Sequence, residues 1–149
     1  MICQSSPVGP LGANVAGGAI TELVWGTSGN LTNGPLHTQI CDEMTAYFTG
    51  NLKNFQTPVA PTGSPFQQKF YAALCAIPYG QTRTYGDLAQ ELGVSAQAIG
   101  QACGANPIAI IIPCHRVLAA NGLGGYSGVG GIEAKVALLK LEGAAGLLI

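Results

Sequence analysis

Apolar and polar residues alternate loosely in the first half of the chain and settle into helical periods in the second. GGAITELVWGTSGNL, from Gly17, alternates and predicts one or two short strands of a meander. In TQICDEMTAYFTG, Ile40, Met44, Tyr47 and Phe48 recur at helical spacing and Gly50 ends the run, which predicts a helix. NFQTPVAPTGSP carries three prolines and no periodicity. It predicts a linker and a boundary within residues 54–63, dividing the chain into 1–60 and 61–149.

Beyond that boundary the signals sharpen. Ser64, Pro65 and Gln67 form an N-cap, a first-turn proline and a capping-box partner. Phe66, Phe70, Ala73, Leu74 and Ile77 then share a helical face, stopped by Pro78-Tyr79-Gly80. Thr84 and Asp87 cap a second helix that turns Leu88, Ala89 and Leu92 inward and ends at Gly93. Ser95 caps a third, through Ile99, Ala102 and Cys103. Two short helices joined by Gly93-Val94-Ser95 predict a helix-turn-helix, with a plain packed pair as the bland alternative. GIEAKVALLKLEG predicts a last helix with Ile132, Val136 and Leu139 as its apolar stripe and Gly143 as its end. The fold class that follows is α/β (α+β): a small N-terminal sheet-plus-helix domain, then an α-rich domain bearing the helix-turn-helix.

Composition narrows the function classes. Of 149 residues, 48% are hydrophobic and only 9% charged, against about 25% in an ordinary soluble protein. The net charge of −1 lacks the basic footprint of an avid nucleic-acid binder. MICQSSPVGP has no basic segment ahead of an apolar run, and no apolar stretch reaches the roughly 20 residues of a membrane span. A soluble intracellular protein without membrane association is expected, cytoplasmic, or nuclear in a eukaryote. Five cysteines, an odd number without a CxxC pair, argue against a disulfide framework. Cys3, His37 and Cys41 match no common ligand spacing, so no metal is expected.

The chemistry concentrates in IIIPCHRVLAANGLGGYSG, from Ile110, where an apolar run that predicts a buried strand ends in Pro113, Cys114, His115 and Arg116. A thiolate is the reactive form of cysteine, and an imidazole is a natural acceptor for its proton. In extended chain the adjacent Cys114 and His115 side chains diverge, so adjacency does not supply a direct hydrogen bond, and a bridging water is one way to join them. A histidine base also needs a group to orient it. Glu142, one residue before a helix-ending glycine, is a candidate, and a solvated glutamate is the alternative. A cysteine hydrolase would want its histidine far off in sequence and an oxyanion hole, and neither is visible.

NPIAIIIPCHRV, followed by GGYSG and LLKLEG and preceded by IPYGQTRTYGDLA, resembles the O6-alkylguanine-DNA alkyltransferases from about Phe66 to Gly143. The resemblance implies a monomeric protein on the minor groove of double-stranded DNA, which flips the alkylated guanine into a pocket. It implies that Cys114 takes the alkyl group once, without cofactor, with His115 as base, Glu142 as its orienting group and Tyr85 as proton donor to the guanine. O4-alkylthymine is a further candidate substrate. Tyr126, Ser127, Val117, Asn106 and Cys103 would line or brace the substrate pocket. Gln97, Ala98, Arg116, Thr84 and Ser95 would face DNA. The recognition helix reads QAIG where the family pattern has RAVG, so Gln97 stands in place of the arginine that fills the gap left by the flipped base. Cys103 stands where a bulkier apolar residue is common. The alternatives are a relative that recognises alkylguanine without transfer and a variant with weakened DNA binding.

Overall fold

A computed structural model describes residues 2–3, 11–25, 35–120, 122–125 and 131–144. The chain divides into two compact units, Met1–Thr62 and Gly63–Ile149.

In the first unit, strands β1 (Ile2–Cys3), β2 (Leu11–Ala16) and β3 (Ala19–Trp25) form an antiparallel sheet in that order. Gly17 and Gly18 join β2 to β3 with φ of 60° and 79°, the two positive values that a two-residue hairpin turn of matching twist requires. Helix α1 (Pro35–Phe48) buries Ile40, Met44 and Tyr47 at the expected spacing, and Gly50 follows in the left-handed region. The predicted linker is more ordered than its prolines suggest. Ile20 bonds through its amide to the Pro58 carbonyl (2.9 Å) and accepts from the Ala60 amide (2.8 Å), so the segment bridges to β3. Glu43 on α1 receives the Gln56 and Thr57 amides and the Thr57 hydroxyl on one oxygen. Phe55 packs on Tyr47, with centroids 5.3 Å apart. Proline limits ladder bonding but leaves each of its own carbonyls free to accept. Cys41 is disulfide-bonded, against the expectation from cysteine count and spacing, while Cys75, Cys103 and Cys114 are in the reduced thiol form.

The second unit contains helices α2 (Pro65–Cys75), α3 (Tyr85–Leu92), α4 (Ala96–Gly104) and α5 (Gly131–Leu141), with a two-stranded parallel pair, β4 (Arg83–Thr84) and β5 (Val117–Leu118). The caps form as the sequence predicts. Ser64 and Gln67 close a capping box on α2, Thr84 and Asp87 another on α3, and the Ser95 hydroxyl accepts the Ala98 amide at the start of α4. Gly93 ends α3 in the left-handed conformation (φ 69°), and α4 follows after two residues, giving the helix-turn-helix. Phe70, Leu74, Leu88, Ile99 and Leu138 sit in its core, joined by Tyr71, which the apolar count on α2 omits.

Two elements depart from expectation. The run Ile108–Ile112 is buried except at the half-buried Ile111, but it is a turn rather than a strand: the Ile112 amide bonds back to the Ile108 carbonyl (3.0 Å), and Ile110 has φ of +79°. Helix α5 is rotated from its predicted stripe. Ile132 is 41% exposed and Val136 half-buried, whereas Ala134, Lys135, Leu138 and Leu139 face inward. The cause is Lys135, whose ammonium is bonded inside the unit. Among the described residues no helix is long and apolar enough to cross a membrane.

Candidate active site

The turn that leads into Cys114 is set by Asn106. Its amide nitrogen donates to the Ile112 carbonyl (2.8 Å) and its side-chain oxygen accepts the Ile108 amide (3.0 Å), so one side chain closes both ends of the turn. The Cys114 amide then donates to the same Ile112 carbonyl (2.8 Å), and Cys114–Arg116 form a single 3-10 turn rather than extended chain. Parallel pairing of Arg83 with Val117 and of Thr84 with Leu118 brings Tyr85 alongside the segment that follows.

His115 is fully buried and its Nε2 lies 2.8 Å from Glu142 Oε2. An ionised carboxylate only accepts, so Nε2 carries the proton and Nδ1 is left as an acceptor. Nδ1 has no hydrogen-bond partner among the described residues. Burial lowers the His115 pKa most, the Glu142 bond and charge oppose it, and the Arg116 and Lys135 charges add to the lowering, so the imidazole is neutral near pH 7. Burial raises the Cys114 thiol above its ordinary range, against the Asn106 bond and the Lys135 charge. A thiol held protonated therefore stands next in sequence to a neutral imidazole whose Nδ1 has no described partner.

Glu142 is therefore placed as the sequence suggests, but Arg116 is not. Expected at a DNA surface, Arg116 is 8% exposed and turned inward, because its guanidinium is bonded to the buried Glu142. Thr84 and Ser95 have their hydroxyls engaged as helix caps. On α4, Gln97 is exposed and Ala98 half-buried. The helix carries no charged side chain.

Tyr85 is half-buried, and burial, then the nearness of the titratable Cys103 and Cys114 thiols, raises its phenol. Its ring comes within 2.9 Å of where a Cβ on Gly124 would stand, and Gly124 has φ of +71°. Only glycine fits that approach. Cys103 is half-buried with its thiol pushed up to about 12, mostly by burial, which keeps it out of the nucleophile's role. The Val117 side chain is buried, and its carbonyl accepts from Lys135 Nζ at 2.6 Å. Tyr126 and Ser127 lie outside the described residues. A cleft of about 380 Å³ between α2 and α3, lined by Ala76, Ile77, Arg83, Asp87 and Glu91 among others, contains none of the predicted site residues.

Lys135 escapes sequence reasoning. Its ammonium donates to the carbonyls of Val117, Leu123 and Gly125 and lies 5.9 Å from the Tyr85 ring centroid. Three carbonyl acceptors use three protons, so the group is charged although burial pulls its pKa down. The signal available was weak: a lysine directly after Ala134 and three and four residues before Leu138 and Leu139.

A buried cysteine thiol, next in sequence to a histidine paired with a buried carboxylate, shares one unit with a helix-turn-helix. The family described as 6-O-methylguanine DNA methyltransferase, DNA binding domain, matches residues 65–144. The methylated-DNA–protein-cysteine methyltransferase of Mycobacterium tuberculosis is 41% identical over 152 residues, covering 92% of this chain and 88% of the relative. That of Methanosarcina acetivorans is 51% identical over 104 residues, covering 68% of this chain and 65% of the relative, just under two thirds of its length. The crystal structure of Mycobacterium tuberculosis OGT in complex with DNA superposes with a TM-score of 0.84 at 42% identity, over 95% of this chain and 91% of that one. The chain belongs to the 6-O-methylguanine DNA methyltransferase family of DNA-repair alkyltransferases.

Proposed function

We propose that this chain is a single-turnover alkyltransferase that moves the alkyl group of O6-alkylguanine in DNA to Cys114, and that residues 61–149 carry both DNA binding and catalysis. The observation that carries this reading is the neutral, carboxylate-held His115 with Nδ1 free, adjacent to a buried thiol. The Cys114 proton passes through a water to His115 Nδ1 while Sγ attacks the alkyl carbon in line. The C–S bond forms and the C–O6 bond breaks. Guanine leaves with negative charge, and the Tyr85 phenol protonates it. Asn106 holds the nucleophile's turn. Tyr126, Ser127, Val117 and Cys103 surround the base. The thioether has no ready exit, so each molecule reacts once. The protein works as a monomer on the minor groove, in the compartment that holds DNA. Helix α4 enters the groove with Gln97 and Ala98, small or neutral residues suited to close approach.

Intact-mass measurement after incubation with O6-benzylguanine, and separately with duplex DNA containing O6-methylguanine, tests the reading. A single adduct mapped to Cys114 is expected from both, and none with Cys114→Ala. Transfer that persists in that variant, or repeated turnover, defeats the assignment. A second variant probes Gln97. Adding a guanidinium there supplies about 1–2 kcal/mol of stacking and charge. Gln97→Arg is therefore expected to speed reaction with the duplex about tenfold while changing the free-base rate less than twofold. Equal acceleration of both substrates would show that residue 97 does not act through DNA.

A further inference from the structure

Every polar group of the Arg116 guanidinium that has a described partner is spent inside the protein. Nε donates to Glu142 Oε1 (2.8 Å), Nη2 to Glu142 Oε2 (2.9 Å) and Nη1 to the Ile77 carbonyl (2.7 Å), while the plane sits 5.8 Å from the Tyr79 ring centroid. Glu142 Oε2 is the same atom that accepts from His115 Nε2. We infer that Arg116 is a positioning residue for the proton acceptor: its fork fixes both oxygens of Glu142, its charge neutralises that carboxylate, and together they hold the His115 ring in place and uncharged until the thiol proton arrives. This rests on His115 being the acceptor.

The physical case has two parts. The first is orientation. A carboxylate held by a single imidazole turns about its terminal torsion, which is broad. Two parallel N–H donors define the plane of the carboxylate and so the direction from which Oε2 can receive Nε2–H. The main chain of Glu142 is pinned as well. The Tyr79 hydroxyl donates to the Leu141 carbonyl (3.3 Å), and Gly80, at φ +81°, would carry a Cβ 3.1 Å from the Glu142 carbonyl. The turn after α2 therefore abuts the residue that orients the base.

The second is charge. A buried glutamate facing only a histidine draws a proton onto the imidazole, since the ion pair then offsets its own burial. An imidazole that is already protonated accepts nothing. With Arg116 present the carboxylate is balanced without that proton. The charged and titratable groups around His115 are Glu142 and Lys135 from α5 and its end, Arg116 from the same turn and the adjacent Cys114; Tyr79 and Cys75 border Arg116. Of these only Glu142 favours the imidazolium, and Arg116 and Lys135 oppose it.

Charge and geometry separate by substitution. Arg116→Lys keeps the charge and loses the fork; Arg116→Met loses both. The measurement is the single-turnover rate of Cys114 alkylation by O6-benzylguanine, followed by intact mass from about pH 4.5 to 9. The acid limb belongs to the Cys114–His115 pair together. Loss of a neighbouring cation raises the pKa of either member, so the limb moves upward whichever of the two holds the proton. Arg116→Met is expected to move it up by about one pH unit and lower the plateau about tenfold. Arg116→Lys is expected to leave the limb within a few tenths of a unit and lower the plateau about tenfold. A limb unmoved in Arg116→Met overturns the charge role, and a full plateau in Arg116→Lys overturns the orienting role. Should Arg116→Met not fold, Arg116→Lys decides: a wild-type plateau overturns the inference, and a reduced plateau with wild-type melting temperature and an unmoved limb supports it. A wild-type protein that forms no Cys114 adduct removes the functional reading itself, an outcome distinct from any of these.

Discussion

Lys135→Met is expected to slow alkyl transfer by about 100-fold, the loss that a misplacement of about 1 Å in an active-site segment causes. Two effects of the ammonium disappear together. The carbonyls of Val117, Leu123 and Gly125 lose their shared donor, and the segment that runs past Tyr85 loses its fastening. Cys114 loses the cation that favours its thiolate, because Arg116 is already balanced by Glu142 and His115 is neutral. Burial then holds the thiol higher still. Methionine matches lysine in length, so packing changes least and the chemistry changes most. The check is the adduct-formation rate with free O6-benzylguanine, together with spectrophotometric titration of the thiolate. The thiol midpoint should rise in the variant. A rate within threefold of wild type would mean that neither the loop anchor nor the charge matters to transfer.

Glu142→Ala should destabilise the protein and not merely slow it. Glu142 is buried between His115, which is fully buried, and Arg116, which is 8% exposed. Removing the anion leaves a guanidinium in the interior without its counter-charge, and breaking one partner of such a pair costs about 3–5 kcal/mol. Small domains hold only about 5–15 kcal/mol in total. The urea midpoint should fall accordingly. Removing the cation as well, in Glu142→Ala with Arg116→Met, should restore most of the loss, since an apolar pair needs no compensation. A single variant within about 1 kcal/mol of wild type would show that water reaches the pair.

Much of this architecture is legible from local chemistry. The boxes at Ser64–Gln67 and Thr84–Asp87 and the left-handed Gly93 are each specified by residues within a few positions of one another, and all form. Ile40, Met44 and Tyr47 likewise follow from helical period. What is not legible depends on partners far along the chain. An apolar run does not distinguish a strand from a buried turn, although Asn106-Pro107 at its start is a turn signal in its own right. Arg116 reads as a surface cation until Glu142, 26 residues on, turns it inward. Lys135 counts as polar in any periodicity, so the stripe of α5 is drawn rotated: Leu139 is buried as expected, but Ile132 is exposed. In the site, Cys114 and His115 are neighbours in sequence, but position alone leaves Glu142 as a solvated glutamate just as well, and only the resemblance joins it to them. The two buried cations beside them, Arg116 and Lys135, carry no such pointer.

Ile110 shows a further side of the same turn. A β-branched residue in the left-handed region costs about 1–3 kcal/mol, and its side chain, 1% exposed, returns a similar amount by burial, about 1.5–3 kcal/mol. Exchanging isoleucine for glycine would relieve that strain but empty a fully buried site, and large-to-small replacements in a core cost about 2–5 kcal/mol. Isoleucine at 110 therefore keeps the turn ahead of Cys114 both filled and confined to few backbone conformations, where glycine would free it.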